Sequence, residues 1–173
     1  MTAGAQRNDI VVRPMTSSDF PAWIAMRSDL WPDCPPERHE LEVRQLLEAE
    51  GVVLLAEDGT GRAIGFAEVS IRHDHVEGTS IAPVPYLEGW YAVPGERGRG
   101  VGAALMKAVG EWAANAGYAE IASDAELDND ASIRAHLRLG FRAVGRTVHF
   151  VRELDVRTDE AAAPAPGKPG NPT

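Results

Sequence analysis

A glycine-rich stretch flanked by arginines, ERGRGVGAAL at residues 96–105, opens an alanine-rich segment that is typical of a helix. The first turn of a helix presents unpaired N–H groups and the positive end of the helix dipole, so it binds anions such as phosphates. Glycine lets the backbone approach a ligand closely, and two arginines bring positive charge to the same place. The stretch therefore predicts a site for a phosphate-bearing ligand. Its candidate residues are Arg97, Gly98, Arg99, Gly100, Val101, Gly102 and Ala103.

Glycines before a helix also occur in loops of a different kind. A Walker-type phosphate loop is excluded because no Gly-Lys-Ser/Thr follows. A dinucleotide site is a rival, since Gly98, Gly100 and Ala103 fit Gly-x-Gly-x-x-Ala and Asp124 ends the next predicted strand. Against it, residues 94–97 separate the strand from the first glycine, where that fingerprint needs a tight turn. A helix start that uses glycines without any ligand is the last alternative, and it leaves the arginines without a role.

Two carboxylates stand near the ends of predicted strands, Glu88 in YLEGWYAV and Asp124 in EIASD. Open sheets place their sites at the C-terminal ends of strands, where carboxylates can bind ammonium groups. An alkyl ammonium has a pKa of about 10, so a proton acceptor is needed before its nitrogen can attack a carbonyl. A carboxylate also stabilises the protonated amine, which opposes that role. The alternative is that both residues are solvent-facing loop acids.

The segment RHDHVEG at residues 72–78 brings His73, Asp74, His75 and Glu77 together. Two histidines beside an acid suggest a metal, but a third or fourth ligand at suitable spacing is missing from the sequence pattern. We therefore predict no metal site.

The overall composition limits the class of protein. A net charge of −9 argues against nucleic-acid binding through a basic face, and it suits either a cationic partner or an acidic, soluble surface. Neither an apolar run near the ~18 residues of a membrane span nor an export signal pattern is found. The single cysteine, Cys34, excludes an intrachain disulfide. The expected compartment is the cytoplasm, with no membrane or nucleic-acid partner.

Hydrophobic periodicity and turn residues predict eleven elements in the order β-α-α-β-β-β-α-β-α-β-β. The predicted strands are 10–13, 52–57, 63–72, 86–93, 120–124, 141–145 and 147–154. The predicted helices are 16–31, 41–50, 100–116 and 129–139, with a turn over 33–40. This order indicates an α+β fold, a mixed α/β sheet of six or seven strands flanked by about four helices.

One domain is predicted over residues 9–156. Residues 1–8 are polar and are expected to be flexible. Residues 157–173 are rich in Ala, Pro and Gly without apolar periodicity, so a disordered tail is expected there.

Two sequence signatures carry a resemblance to a known superfamily. Arg97-x-x-Gly100-x-Gly102, after a strand ending in Val93, resembles the acetyl-coenzyme A loop of the GNAT N-acetyltransferases. Asn129-x-x-Ser132-x-x-x-His136, followed by Gly140-Phe141, resembles their second signature. The resemblance covers roughly residues 10–155. It implies a GNAT fold and acetyl-CoA as co-substrate.

The same resemblance assigns expected roles to the residues around the loop. The strand carrying Trp90, Tyr91, Ala92 and Val93 would pair with the pantetheine arm, and a backbone N–H near Trp90 or Tyr91 would polarise the thioester. Asn129 and His136 are expected to contact the coenzyme. His136 stands where the superfamily usually has a tyrosine that protonates the leaving thiolate. It is therefore a candidate acid, a coenzyme contact or an ordinary helix residue.

Four longer segments resemble the aminoglycoside 6′-N-acetyltransferases specifically: MRSDLWP (26–32), EVSIRHDHVEG (68–78), IAPVPYLEGWYAVP (81–94) and EIASDAELDN (120–129). The resemblance implies direct attack of the acceptor's 6′-amine on acetyl-CoA in a ternary complex, giving antibiotic resistance. The acceptor contacts that it implies are Trp31, Cys34, His75, Glu88 and Asp124. Cys34 is not expected to be a nucleophile, because this family transfers acetyl groups directly.

Two rival functions remain at this point. One is a GNAT enzyme for another small cationic amine or for a protein N-terminus. The other is a non-catalytic domain that binds the coenzyme as a sensor, which an absent general acid would permit. The resemblance also favours a homodimer, with free sheet edges at the C-terminal strands as the contact.

Overall fold

The computed structural model describes residues 9–153, which form a mixed sheet with helices on both faces. The strands are β1 (Val11–Pro14), β2 (Gly51–Glu57), β3 (Ala63–Arg72), β4 (Val84–Ala92) and β5 (Ala122–Ser123). The α-helices are α1 (Phe20–Leu30), α2 (Pro36–Glu48), α3 (Val101–Asn115) and α4 (Asp130–Arg138). Among the described residues, none of the helices is long and apolar enough to cross a membrane.

The strands lie in the sheet in their chain order, β1-β2-β3-β4-β5. The first four are antiparallel neighbours, and β5 runs parallel to β4. Contact between β4 and β5 is limited to the pairs Tyr86–Ala122 and Leu87–Ser123. Past these pairs the two strands separate, so the rest of β4 faces a gap in the sheet. The mixed pairing confirms the predicted fold class.

The core lies on both faces of the sheet because the strands alternate their apolar side chains. On β2, Leu54 packs with Leu105 and Val109 of α3, whereas Leu55 packs on the other face with Trp23 of α1. Burying each such side chain contributes roughly 1.5–3 kcal/mol. The sheet is therefore held between α3 and the α1–α2 pair.

The start of α2 differs from the prediction. Residues 33–40 were expected to form a turn, but the helix begins at Pro36. Proline suits the first helical position, because its missing N–H would be unpaired there and its φ is already helical. The two successive prolines begin this helix rather than prevent it.

The two predicted C-terminal strands are wrong within the described residues. Residues 141–153 contain neither helix nor strand, so residues 9–153 hold five strands instead of six or seven. The apolar side chains that suggested strands are mostly in solvent, with Val148, Phe150 and Val151 at 66%, 92% and 96% exposure. A strand needs a partner for its backbone, and the described part of the chain supplies none here. Residues 1–8 and 154–173, including the predicted flexible start and tail, lie outside the described residues.

Candidate active site

The glycine loop has the geometry that an anion site requires. Gly98 and Gly100 have φ values of +75° and +95°, in the left-handed region that favours glycine. Gly100 is the residue that caps α3, and within the described residues no side chain accepts a hydrogen bond from the first turn of this helix. The first-turn N–H groups are therefore available to a ligand.

The two arginines of the loop are both tied to neighbouring groups. Arg97 donates from Nε to the carbonyl oxygen of Ala92 at 3.0 Å, which connects the loop to the end of β4. Nη1 of Arg99 lies 3.0 Å from Oε2 of the buried Glu96. The arginines thus order the loop, and direct neutralisation of a phosphate by them stays a prediction.

Glu88 lies at a β-bulge in the middle of β4, not at the strand's end as expected. Glu68 pairs with Gly89 and Val69 pairs with Leu87, which leaves Glu88 as the extra residue on β4. A bulge bends its strand and changes the direction in which a side chain points. At Gly89 an added Cβ would lie 2.5 Å from Cη2 of Trp31, so glycine allows the indole to pack against the bulge.

A cleft of about 770 Å³ opens between the α1–α2 turn and strands β3 and β4. Three of the predicted acceptor contacts line it: Trp31, Cys34 and Glu88. The other two do not line it. Asp124 follows the end of β5, as predicted, and His75 lies in an exposed loop with its Nε2 4.0 Å from Oε2 of Glu77.

A chain of polar contacts connects the two predicted carboxylates. Glu88 accepts hydrogen bonds from Oγ of Ser70 at 2.5 Å and from Arg72, at 3.2 Å from Nε and 2.8 Å from Nη2. The guanidinium carbon of Arg72 lies 3.3 Å from the ring centroid of Tyr86. The hydroxyl of Tyr86 donates to Oδ1 of Asp124 at 2.7 Å. Burial, together with Asp124, raises the pKa of Tyr86 well above its usual value, so this hydroxyl stays protonated.

A buried ion pair forms the floor of the cleft. Oε1 of Glu68 accepts from Nε of Arg27 at 2.6 Å and from Nε1 of Trp23 at 2.7 Å. Glu68 is 1% exposed, and burial raises its pKa although Arg27 opposes the rise. The guanidinium of Arg27 also stacks 4.6 Å from the ring centroid of Trp31. The pair therefore supports the aromatic side that the acceptor is expected to meet.

His136 lies where the pairing of β4 and β5 ends. Its Nδ1 is 2.9 Å from the carbonyl oxygen of Ser132, which can only accept, so Nδ1 carries a proton. Its Nε2 is 3.0 Å from Oγ of Ser123, a hydroxyl that also lies 3.1 Å from the carbonyl oxygen of Leu87. Both ring nitrogens thus have partners within the protein, and the role of acid stays a prediction.

Asn129 caps α4, as its place in the sequence predicted. Its Oδ1 accepts from the N–H of Ser132 at 3.0 Å. This bond orients the helix that carries His136, whereas contact of Asn129 with the coenzyme stays a prediction.

A group of possible metal ligands, Cys34, His39 and Glu42, has ligand atoms within 4.8 Å of one another. Nη1 of Arg27 lies 3.1 Å from Nδ1 of His39. A guanidinium only donates, so Nδ1 accepts and the proton of a neutral imidazole is on Nε2. Neither nitrogen then offers a lone pair to a metal, and these residues do not fit one.

Comparison with known proteins places this architecture in a family. The sequence model described as Acetyltransferase (GNAT) family matches residues 20–141. The chain therefore belongs to the GNAT acetyltransferase family, as the two signatures indicated. It is 43% identical over 144 residues to an aminoglycoside N(6′)-acetyltransferase type 1 of Stenotrophomonas maltophilia, covering 83% of this chain and 94% of that one. For a relative of the same name in Klebsiella aerogenes the identity is 42%, covering 83% and 97%.

Solved structures agree with the sequence relatives. The fold matches AAC(6′)-Iy in complex with the bisubstrate analogue CoA-S-monomethyl-acetylneamine, with a TM-score of 0.77 and 36% identity over 84% of this chain and 99% of that one. It also matches AAC(6′)-Ih from Acinetobacter baumannii, with a TM-score of 0.76 and 38% identity over the same shares of the two chains.

Proposed function

We propose that the protein transfers the acetyl group of acetyl-CoA to the 6′-amine of aminoglycosides, which confers resistance to these antibiotics. The observation that carries the proposal is the position of the gap beside β4. The gap begins after Leu87, with the glycine loop at one end and Glu88, which lines the acceptor cleft, at the other. A thioester lying along β4 from that loop would meet an amine held in the cleft. The relatives' names and the bisubstrate complex of AAC(6′)-Iy support this proposal.

The reaction is direct in this proposal. Glu88 and Asp124 hold the acceptor's ammonium groups, and one of them takes the proton of the reacting amine, directly or through water. The nitrogen attacks the thioester carbon, whose oxygen is held by a backbone N–H of β4 near Trp90 or Tyr91. The carbon–sulfur bond then breaks, and the leaving thiolate receives a proton, with His136 as the candidate donor. Trp31 packs against a sugar ring, and Cys34 and His75 lie at the edge of the acceptor.

The variants Glu88→Gln and Asp124→Asn test this assignment in a thiol-release assay with acetyl-CoA. Each loses a charged partner of an ammonium, an interaction of about 1.5–3 kcal/mol, so kcat/KM for an aminoglycoside should fall about 10- to 100-fold. Coenzyme affinity, measured by calorimetry, should stay within about twofold of the unsubstituted protein, because neither side chain belongs to the glycine loop. Unchanged turnover in both variants would remove the carboxylates from the acceptor site.

The choice of acceptor is tested in the same assay with a panel of amines. The panel contains an aminoglycoside, a polyamine and a peptide with a free N-terminus, each at several concentrations. We expect the highest kcat/KM for the aminoglycoside. A preference for the polyamine or the peptide would identify an acetyltransferase for another amine, and coenzyme binding without thiol release would identify a sensor domain.

The proposed assembly is a homodimer in which the C-terminal segments of two copies meet. Val148, Phe150 and Val151 form an apolar stretch with almost no cover from the described part of the chain. Segments with a strand pattern and no partner tend to pair with a second chain. Sedimentation should give the mass of two chains, and Phe150→Asp should shift it to one. A single-chain mass for the unsubstituted protein would contradict the proposal.

The cytoplasm is the compartment proposed for this reaction. A lone free cysteine, Cys34, suits a reducing environment. Cell fractionation with an antibody to the protein checks the assignment, and recovery outside the cytoplasmic fraction would overturn it.

A further inference from the structure

We propose that Arg72 sets how many ammonium groups the protein accepts beside the reacting amine, by balancing one of the two acceptor-site carboxylates. The inference rests on the proposed function, since it takes Glu88 and Asp124 as the anionic groups that meet the acceptor. It adds a residue that determines specificity and lies outside the roles already assigned.

The contacts place Arg72 between the two carboxylates. It meets Glu88 through two nitrogens and covers the ring of Tyr86, and the hydroxyl of Tyr86 in turn donates to Asp124. A two-point contact between a guanidinium and a carboxylate is the strong form of this ion pair, and it fixes the geometry of both groups. The four side chains therefore form one unit, which we call the Arg72 network: Arg72, Tyr86, Glu88 and Asp124.

The charge of the Arg72 network follows from these contacts. Two carboxylates and one guanidinium leave one net negative charge, because Tyr86 is neutral. Elsewhere along the cleft the charged side chains are paired, Arg27 with Glu68 and Arg38 with Glu42, and Asp33 is an exposed residue of the cleft wall. A second ammonium beside the reacting one would therefore find no unbalanced carboxylate in the network.

A change of charge at Arg72 should consequently change the preference among acceptors. Without the guanidinium, the network carries two negative charges and attracts a second ammonium on the same sugar ring. At separations of about 5–8 Å near a solvated surface, one unit charge alters the binding energy enough for roughly a three- to tenfold change in affinity.

The substitution Arg72→Gln tests the role of the charge. Glutamine keeps an N–H donor for Glu88 and a planar group over Tyr86, but it carries no charge. Two acceptors serve as probes: kanamycin A, with a hydroxyl at the 2′ position, and kanamycin B, with an amine there. Both present the 6′-amine. The measured quantity is the ratio of kcat/KM for kanamycin B to that for kanamycin A, at low and at high salt.

We expect this ratio to rise about three- to tenfold in Arg72→Gln at low salt and to fall back as salt screens the charge. Arg72→Lys keeps the charge but loses the two-point contact, so it should raise KM for both acceptors and leave the ratio unchanged. Lys107→Gln on the exposed face of α3 removes one positive charge far from the cleft and should leave both the ratio and KM unchanged.

An unchanged ratio in Arg72→Gln would overturn the inference, as would an equal change in the glutamine and lysine variants, since geometry rather than charge would then be the cause. Absence of turnover with both acceptors in the unsubstituted protein would instead remove the proposed function itself, and the inference with it. Thermal unfolding of each variant confirms that the kinetic differences belong to folded protein.

Discussion

Replacing Gly100 by aspartate should weaken coenzyme binding by about 100-fold or more while the protein still folds. The new carboxylate would stand at the first turn of α3, where it repels the pyrophosphate and bonds the N–H groups that should hold it. Losing charge-assisted hydrogen bonds of about 1.5–3 kcal/mol each accounts for an effect of this size. Calorimetric titration with acetyl-CoA measures it.

A matched control separates this effect from backbone strain. Gly61 has a φ of +82° and open space where a Cβ would stand, much like Gly100, but it lies in the turn between β2 and β3. Gly61→Asp should lose a similar stability of about 1–2 kcal/mol and keep its coenzyme affinity. If folded Gly100→Asp bound acetyl-CoA as well as the Gly61 variant, the glycine loop would not be the phosphate site.

The largest loss of stability should follow from Arg27→Met. This change leaves the Glu68 carboxylate buried and without its cation, and breaking a buried pair in this way costs about 3–5 kcal/mol. Urea unfolding at pH 7 should show the loss as a lower midpoint. The double variant Arg27→Met with Glu68→Gln should recover most of it, since glutamine carries no charge and still accepts from Nε1 of Trp23.

The pH dependence of this variant has a defined sign. Burial raises the pKa of Glu68 above its unfolded value, so folding takes up a proton in the interval between the two. The free energy of unfolding therefore falls as pH rises through that interval. Losing Arg27 raises the folded pKa further, so the deficit of Arg27→Met should be smaller at pH 5 than at pH 8. A deficit below about 1 kcal/mol at pH 7, or one that is independent of pH, would contradict a buried ion pair.

Features fixed by local sequence were predicted well. The glycines of the loop, the cap at Asn129 and the hairpin between β2 and β3 depend on residues close together in the chain, and the structure has each of them. The family follows from two such local signatures. The roles of the individual site residues stay predictions, since no bound ligand touches them.

Features that depend on strand register were not predicted. Arg72 and Tyr86 meet the acceptor-site carboxylates only because β3 and β4 pair as they do, and the bulge at Glu88 shifts that pairing by one residue. A charged residue within an apolar run could have indicated Glu68 as a buried acid, but its partner Arg27 is 41 residues away. The predicted C-terminal strands failed for a related reason, because an apolar alternation shows what can pair and not what it pairs with.

The position of acetylation on the acceptor tests the central claim most directly. Kanamycin A and a close analogue with a hydroxyl at the 6′ position are each incubated with the protein and acetyl-CoA, and NMR locates the acetyl group. The account predicts rapid transfer to the 6′-nitrogen of kanamycin A, and slow or no transfer to the analogue, whose other amines lie away from the thioester. Equal rates on the two compounds, or acetylation at another nitrogen, would contradict it.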